Sequence, residues 1–377
     1  MDYCGFVIRR ERMARGWSQQ GLCKGVCAVS YLSKIEQGRV VPSHEVLDAL
    51  YARLELPVPD EAQRRDAEQR IRRAMEALFD ARWDAVREEV SGLNDLRGSA
   101  LEPWALLLRA YVIPPNAPLE EALEPCLDRM QLALQRNLQE RCEEACRLFP
   151  CALLHSYRGI HAYKVGDNTT AMEALHTAYS MAAEEGRPAL MLDCQMFMGN
   201  CYSNRCDLEG MRAHYAVAER LARALGREQD LYSLRYNTGA TLLQAGHVQE
   251  AYDALSVLPE PGALAQHKLA ICLEKLGRRE EALRMLDEME RSLDQENTDD
   301  ALDRLMGRVV RLRLQSDDPL HDPAYGDALM ECFARCRAER PVGYAAFHLP
   351  WVLEWLEAGR QYKQACELLK NFPKIQK

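Results

Sequence analysis

SQQGLCKGVCAVSYLSKIEQG, residues 18–38, sets two short apolar-patterned runs on either side of a glycine. Ser18 stands where it caps a helix predicted over residues 19–24, and Gly25 supplies a turn. A second helix is predicted over residues 30–37, with Leu32 and Ile35 facing inward and Gly38 ending it. Two short helices across a glycine-containing turn form the helix-turn-helix pattern. Upstream, VIRRERMARGW places Ile8, Met13 and Trp17 among five charges and predicts a first helix that stops at Gly16. Downstream, Ser43 is placed to cap HEVLDALYARL, where Val46, Leu47, Leu50 and Leu54 recur at helical spacing.

The charge is uneven along the chain. Residues 1–42 hold seven Lys or Arg against three acids, a net of +4, so the other 335 residues sum to −13 within the chain's total of −9. Positive charge gathered on a small unit releases counterions from a phosphate backbone, whereas an acidic remainder repels one. A solvated helix face carries such charges equally well, so it is the motif that decides between the two.

That motif resembles the Cro/repressor-type helix-turn-helix family, which carries I-x-x-x-R, G-hydrophobic-[ST]-Q, S-x-[IL]-S-x-[IL]-E-x-G and x-P-S in order. Here these are Ile8 to Arg12, Gly16 to Gln19, Ser30 to Gly38, and Pro42-Ser43. The resemblance implies that Arg12 and Glu36 form a structural pair and stay out of the DNA contacts. Ser30, Ser33 and Lys34 remain to reach base edges, Val29 to touch a thymine methyl, and Gln19, Tyr31 and Arg39 to meet phosphates. Ala28 and Val29 open the second helix without donors, which predicts weak base readout.

With 377 residues, 47% hydrophobic and 28% charged, the chain has the length for a small domain followed by a long array, and its Ala, Leu, Glu and Arg favour helix. A helical-hairpin period then emerges. Gly159, Gly199 and Gly239 recur 40 residues apart, followed by Gly166, Cys206 and Gly246, then Ala171, Met211 and Ala251, then Leu175, Tyr215 and Leu255. Further copies carry Ala270, Gly277, Ala282 and Leu286, and Trp355, Gly359, Ala365 and Leu369. The pattern resembles the tetratricopeptide repeat. The expected fold is all-α: a small N-terminal helix-turn-helix domain over 1–58, then a right-handed tetratricopeptide-repeat α-solenoid over 59–377. The clearest repeats are 152–185, 192–225, 232–262, 263–296 and 345–377, with degenerate hairpins at 70–150 and 300–340.

A stacked array of this kind presents its first helices on a concave face that takes an extended peptide. Polar residues expected there are Tyr163, Lys164, Asn200, Asn204, Tyr236, Asn237, Gln244, Lys268 and Lys275. An Asn amide donates and accepts at once, so it pairs with peptide backbone whatever the side chains. Asn200, Asn237 and Lys268 resemble the Asn, Asn and basic trio of peptide-binding tetratricopeptide proteins.

The joint architecture resembles the RRNPP regulators, the Rgg, Rap, NprR, PlcR and PrgX group. The resemblance implies a homodimer that binds double-stranded DNA and a short signalling peptide or protein segment, with peptide binding changing DNA affinity in the manner of quorum sensing. The competing reading is an adaptor whose solenoid holds a folded partner protein while its helix-turn-helix binds DNA weakly. No phosphate loop, H-E-x-x-H or G-x-S-x-G motif is present, so an enzyme is not expected, nor a cofactor. No apolar run reaches the ~20 residues of a bilayer span and no signal sequence opens the chain, so a cytoplasmic protein is expected. The fourteen cysteines are then expected to stay reduced and pack as small apolar residues. Cys142/Cys146 and Cys332/Cys336 share i,i+4 spacing, but no second pair stands at structural-zinc spacing, so no metal is expected.

Overall fold

The computed structural model describes residues 3–57, 60–93, 95–113, 118–295 and 301–372. Among these residues the regular elements are all helices. Two compact units divide the chain: Met1–Tyr157 with Glu184–Leu190, and Arg158–Ala183 with Met191–Lys377.

The first unit opens with α1 (Tyr3–Ala14), α2 (Gln19–Cys23), α3 (Val29–Glu36) and α4 (His44–Arg53). Ser18 Oγ accepts from the Gly21 amide at 3.0 Å, which satisfies one of the free donors at the start of α2. The expected boundaries shift by one residue, α2 ending at Cys23 and α3 starting at Val29. Ser43 occupies the cap position of α4, but its side chain makes no capping bond. Val7, Ile8, Leu22, Leu32, Ile35, Leu50 and Leu54 are fully buried in one core. The helices α1 and α3 approach backbone to backbone at Gly5, where a Cβ would lie 2.0 Å from the Ile35 carbonyl oxygen.

The helices α5 (Glu61–Phe79), α6 (Trp83–Ser91), α7 (Glu102–Val112), α8 (Arg129–Leu138) and α9 (Cys142–Leu148) follow. The boundary expected at 58 and 59 falls on residues outside the described ones. Its two sides are joined within this unit: the Tyr51 hydroxyl donates to the Gly98 carbonyl at 2.6 Å, and Arg10 pairs with Glu102 at 3.3 Å.

The repeats begin with α10 (Ala152–Val165), α11 (Asn168–Glu184), α12 (Pro188–Ser203), α13 (Leu208–Leu225), α14 (Glu228–Gln244) and α15 (Val248–Ser256). They continue as α16 (Ala263–Lys275), α17 (Arg279–Gln295), α18 (Ala301–Gln315), α19 (Pro323–Glu339), α20 (Val342–Ala358) and α21 (Tyr362–Asn371). The 40-residue period is a packing period. A Cβ at Gly159, Gly199 or Gly239 would lie 2.6, 2.3 or 2.5 Å from the side chain of Leu175, Tyr215 or Leu255. Each glycine thus admits the large residue of the second helix of its own hairpin.

The C-terminal hairpin departs from the expected copy. Its left-handed turn residue is Arg360 at φ 56°, while Gly359 sits at φ −76°. Leu369 is exposed rather than packed. Small and large have changed places here: Trp355 fills the space left by Gly326 of α19, whose Cβ would meet the indole at 2.2 Å. Residue 296 and residues 373–377, the ends of two expected repeats, lie outside the described residues.

Candidate functional site

Arg12 and Glu36 meet in a two-pronged ion pair, Nε to Oε1 at 2.6 Å and Nη2 to Oε2 at 2.9 Å. A third nitrogen of Arg12, Nη1, donates to the Trp17 carbonyl at 2.7 Å, which ties the end of α1 to the loop before α2. The hydrogen bonds to Glu36 hold the Arg12 guanidinium in its charged form, raising its pKa. Gln19 joins this brace by donating Nε2 to Glu36 Oε2 at 2.8 Å. Its amide nitrogen, expected at a phosphate, is therefore engaged inside the protein.

Val29, Ser30, Lys34 and Arg39 are exposed on or just beyond α3, while Tyr31 and Ser33 are half-buried. Ser33 Oγ accepts from Gln37 Nε2 at 3.2 Å. A cavity of about 360 Å³ beside the brace is lined by Arg9, Gln19, Ser33 and Gln37 among others. Arg9 and Gln37 join the candidate surface although sequence reasoning passed them over. The sign of Arg9 was visible, but its position beside α3 follows from how α1 packs.

In the second unit, Tyr163, Asn204, Tyr236, Asn237, Gln244 and Lys268 line one pocket with Ser203, Thr241, Tyr344 and Phe347. Tyr236 and Asn237 also wall a larger cavity of about 490 Å³, bordered by Tyr232, Asp303 and Arg340. Six of the nine expected groove residues therefore converge. Lys164 and Lys275 are exposed and line neither space. Asn200 is placed otherwise than expected: its Oδ1 accepts from the Tyr215 hydroxyl at 2.6 Å and from Asn237 Nδ2 at 3.2 Å. Its oxygen thus joins α12 to α13 and α14, and of the Asn200, Asn237 and Lys268 trio only the last two face the pocket.

Asn204 stands apart from the other pocket residues. Its Nδ2 is buried and makes no hydrogen bond of full geometry, only a weak approach to the Tyr163 hydroxyl. Gly343 of α20 brings backbone up to its oxygen, for a Cβ there would lie 2.6 Å from Asn204 Oδ1. That α20, the first helix of the last expected repeat, approaches Asn204 of α12 was not legible, because the repeat rule gives which helices face inward but not how far the stacked hairpins wind toward one another.

Lys268 is buried at 4% exposure with Nζ 3.2 Å from the Phe347 ring centroid. Burial lowers its pKa from 10.5 to about 7, and the ring face offsets part of the cost of charging it. Between those two values the unfolded chain holds a proton that the folded chain lacks, so stability rises with pH through the window. Below about 7 the full cost of burying the charge is present. Lys268→Met is therefore expected to raise the thermal midpoint most at pH ~6, with the gain shrinking toward pH ~10. Equal gains at both pH values would show that the amine stays charged throughout.

Residues 5–65 match the family described as a helix-turn-helix domain. No curated protein matches the chain in sequence. Among solved structures, it is similar to a Rap protein complexed with competence and sporulation factor, at a TM-score of 0.59 and 14% identity over 82% of this chain and 98% of that one. It is also similar to the Rap conjugation gene regulator of plasmid pLS20 in complex with the Phr* peptide, at a TM-score of 0.56 and 12% identity over 85% of this chain and 98% of that one. No helix among the described residues is long and apolar enough to cross a membrane. The protein thus pairs an N-terminal helix-turn-helix domain with the helical-repeat fold of the Rap proteins, the architecture that its resemblance to the RRNPP regulators implies.

Proposed function

We propose that this protein is a cytoplasmic, homodimeric transcriptional regulator whose repeat groove binds a short extended signalling peptide and thereby changes its affinity for DNA. The observation that carries the reading is the convergence of Asn204, Asn237, Gln244 and Lys268 on one pocket, with the buried Asn204 Nδ2 left short of a well-formed hydrogen bond. A buried donor without a good acceptor costs up to about 3 kcal/mol, and a peptide carbonyl would relieve it. Of the two similar Rap structures, one was solved with competence and sporulation factor and one with the Phr* peptide.

Titration calorimetry with a library of short extended peptides tests the groove. Asn204→Ala and Asn237→Ala are each expected to weaken binding about 5- to 150-fold while helicity by circular dichroism persists. Asn204 serves this test better than Asn200, whose bond to Asn237 would couple the pair even without ligand. Wild-type affinity in the double variant would move the site elsewhere.

At the head, Lys34 and Arg39 are exposed; Arg39 is proposed to meet phosphate along with Tyr31, with Ser30, Ser33, Lys34 and Val29 toward the bases and Lys34 long enough to reach a phosphate as well. Substituting Lys34 or Arg39 by Ala is expected to reduce the slope of log affinity against log salt by about 0.9 for each phosphate no longer neutralised. An unchanged slope removes that residue from the interface. A dimer predicts two protected patches separated by about one helical turn or a multiple in footprinting, and a single patch contradicts it.

A further inference from the structure

We propose that Cys332, Cys336 and His348 form a buried two-sulfur, one-nitrogen site for a thiophilic d10 cation. The two thiols stand one turn apart on α19, and α20 brings His348 across from them. Their three candidate donor atoms lie within 4.8 Å of one another. Two sulfurs bound to one such ion at ~2.3 Å each stand about 3.8 Å apart at a tetrahedral angle, so the ligands need to close by no more than about an ångström. All three residues are 0% exposed.

The histidine is already oriented for the task. Nδ1 lies 2.8 Å from the Tyr344 carbonyl oxygen, so the proton sits on Nδ1 and donates to that oxygen. This leaves the lone pair on Nε2, which is buried with no hydrogen-bond partner. A backbone carbonyl fixing the tautomer of a ligating histidine is the usual outer-shell arrangement at metal sites. The imidazole and the two sulfurs thus face one another, with Cys336 the thiol that interacts with His348.

Thiolate sulfur selects soft ions. A closed set of three donors suits monovalent copper, whereas zinc in a structural site takes four ligands. The absence of a second Cys or His pair at zinc spacing, which excluded a metal at the level of sequence, does not apply to a site closed by a neighbouring helix. The ion would also reach the groove, since Tyr344, the acceptor for His348, stands in its wall. Occupancy would thereby fix the α20 side of the pocket.

The test uses the full reduced chain, titrated separately with Cu(I) against bathocuproine disulfonate and with Zn(II) against a chromophoric chelator. One equivalent of Cu(I) per chain is expected to resist the competitor, with two sulfurs and one nitrogen in X-ray absorption and a raised thermal midpoint. Stoichiometric Zn(II) binding with the same ligands would equally support the site. In Cys332→Ala/Cys336→Ala, affinity is expected to fall by about 100-fold or more, and His348→Gln is expected to weaken it measurably. Cys142→Ala/Cys146→Ala, which removes a different buried i,i+4 pair, is expected to leave it unchanged. Because the wild type is itself read out, a variant that fails to fold does not decide the matter. Release of both ions by wild type to the competitors, or binding lost only with Cys142 and Cys146, overturns the proposal.

Discussion

Arg12→Ala is expected to loosen the helix-turn-helix core by about 3 to 5 kcal/mol, the cost of breaking a buried pair by removing one partner. Glu36 is 3% exposed, and without Arg12 its carboxylate keeps only the Gln19 amide among its observed partners. The tie from Arg12 to the Trp17 carbonyl goes as well. Hydrogen exchange on the intact chain reads this locally, with amides of α1 and α3 expected to exchange roughly 150- to 5,000-fold faster. Arg12→Lys is expected to recover only part of the loss, since an ammonium cannot make the two-pronged contact. Normal exchange in Arg12→Ala combined with lost DNA binding would place Arg12 at the DNA and contradict its role as a brace.

Gly5→Ala tests the same core from the side of packing. Helix propensity alone makes this change favourable by about 1 kcal/mol, because α1 runs through Gly5. Packing predicts the opposite sign. The new Cβ would sit 2.0 Å from the Ile35 carbonyl oxygen and 2.9 Å from its carbon, and neither is a side chain that can swing away. Separating α1 from α3 is expected to cost about 3 kcal/mol, the upper part of the range for overpacking, and to speed exchange in both helices. A stabilised variant would show that the two backbones are free to part.

The residues that announced the head act over short distances. Ser18, Gly25, Leu32 and Ile35 work within a few residues of their own position, so cap, turn and inward face were legible. The repeat was legible for a related reason: Gly159, Gly199 and Gly239 each answer to a partner 16 residues later in the same hairpin. Features that depend on how hairpins stack were not legible. The bond from Asn237 to Asn200 joins successive repeats, and α20 enters the groove wall through Gly343, Tyr344 and Phe347. His348 reaches Cys332 and Cys336 only because α19 and α20 fold against each other. At the C-terminal hairpin the periodic rule failed because Trp355 and Gly326 exchange the large and small roles across two helices.

The central claim is that groove occupancy changes DNA affinity, and one measurement addresses both halves of it. Genomic fragments are shifted electrophoretically by the full chain, with and without a short-peptide fraction from culture medium, using wild type and Asn204→Ala/Asn237→Ala. Wild type is expected to bind a subset of fragments, with the peptide fraction changing its affinity by about 5- to 150-fold, the usual span of coupling between sites. The double variant is expected to bind the same fragments and to lose that response. Fragment binding by wild type that no peptide concentration alters, or a response of equal size in the double variant, would contradict the account.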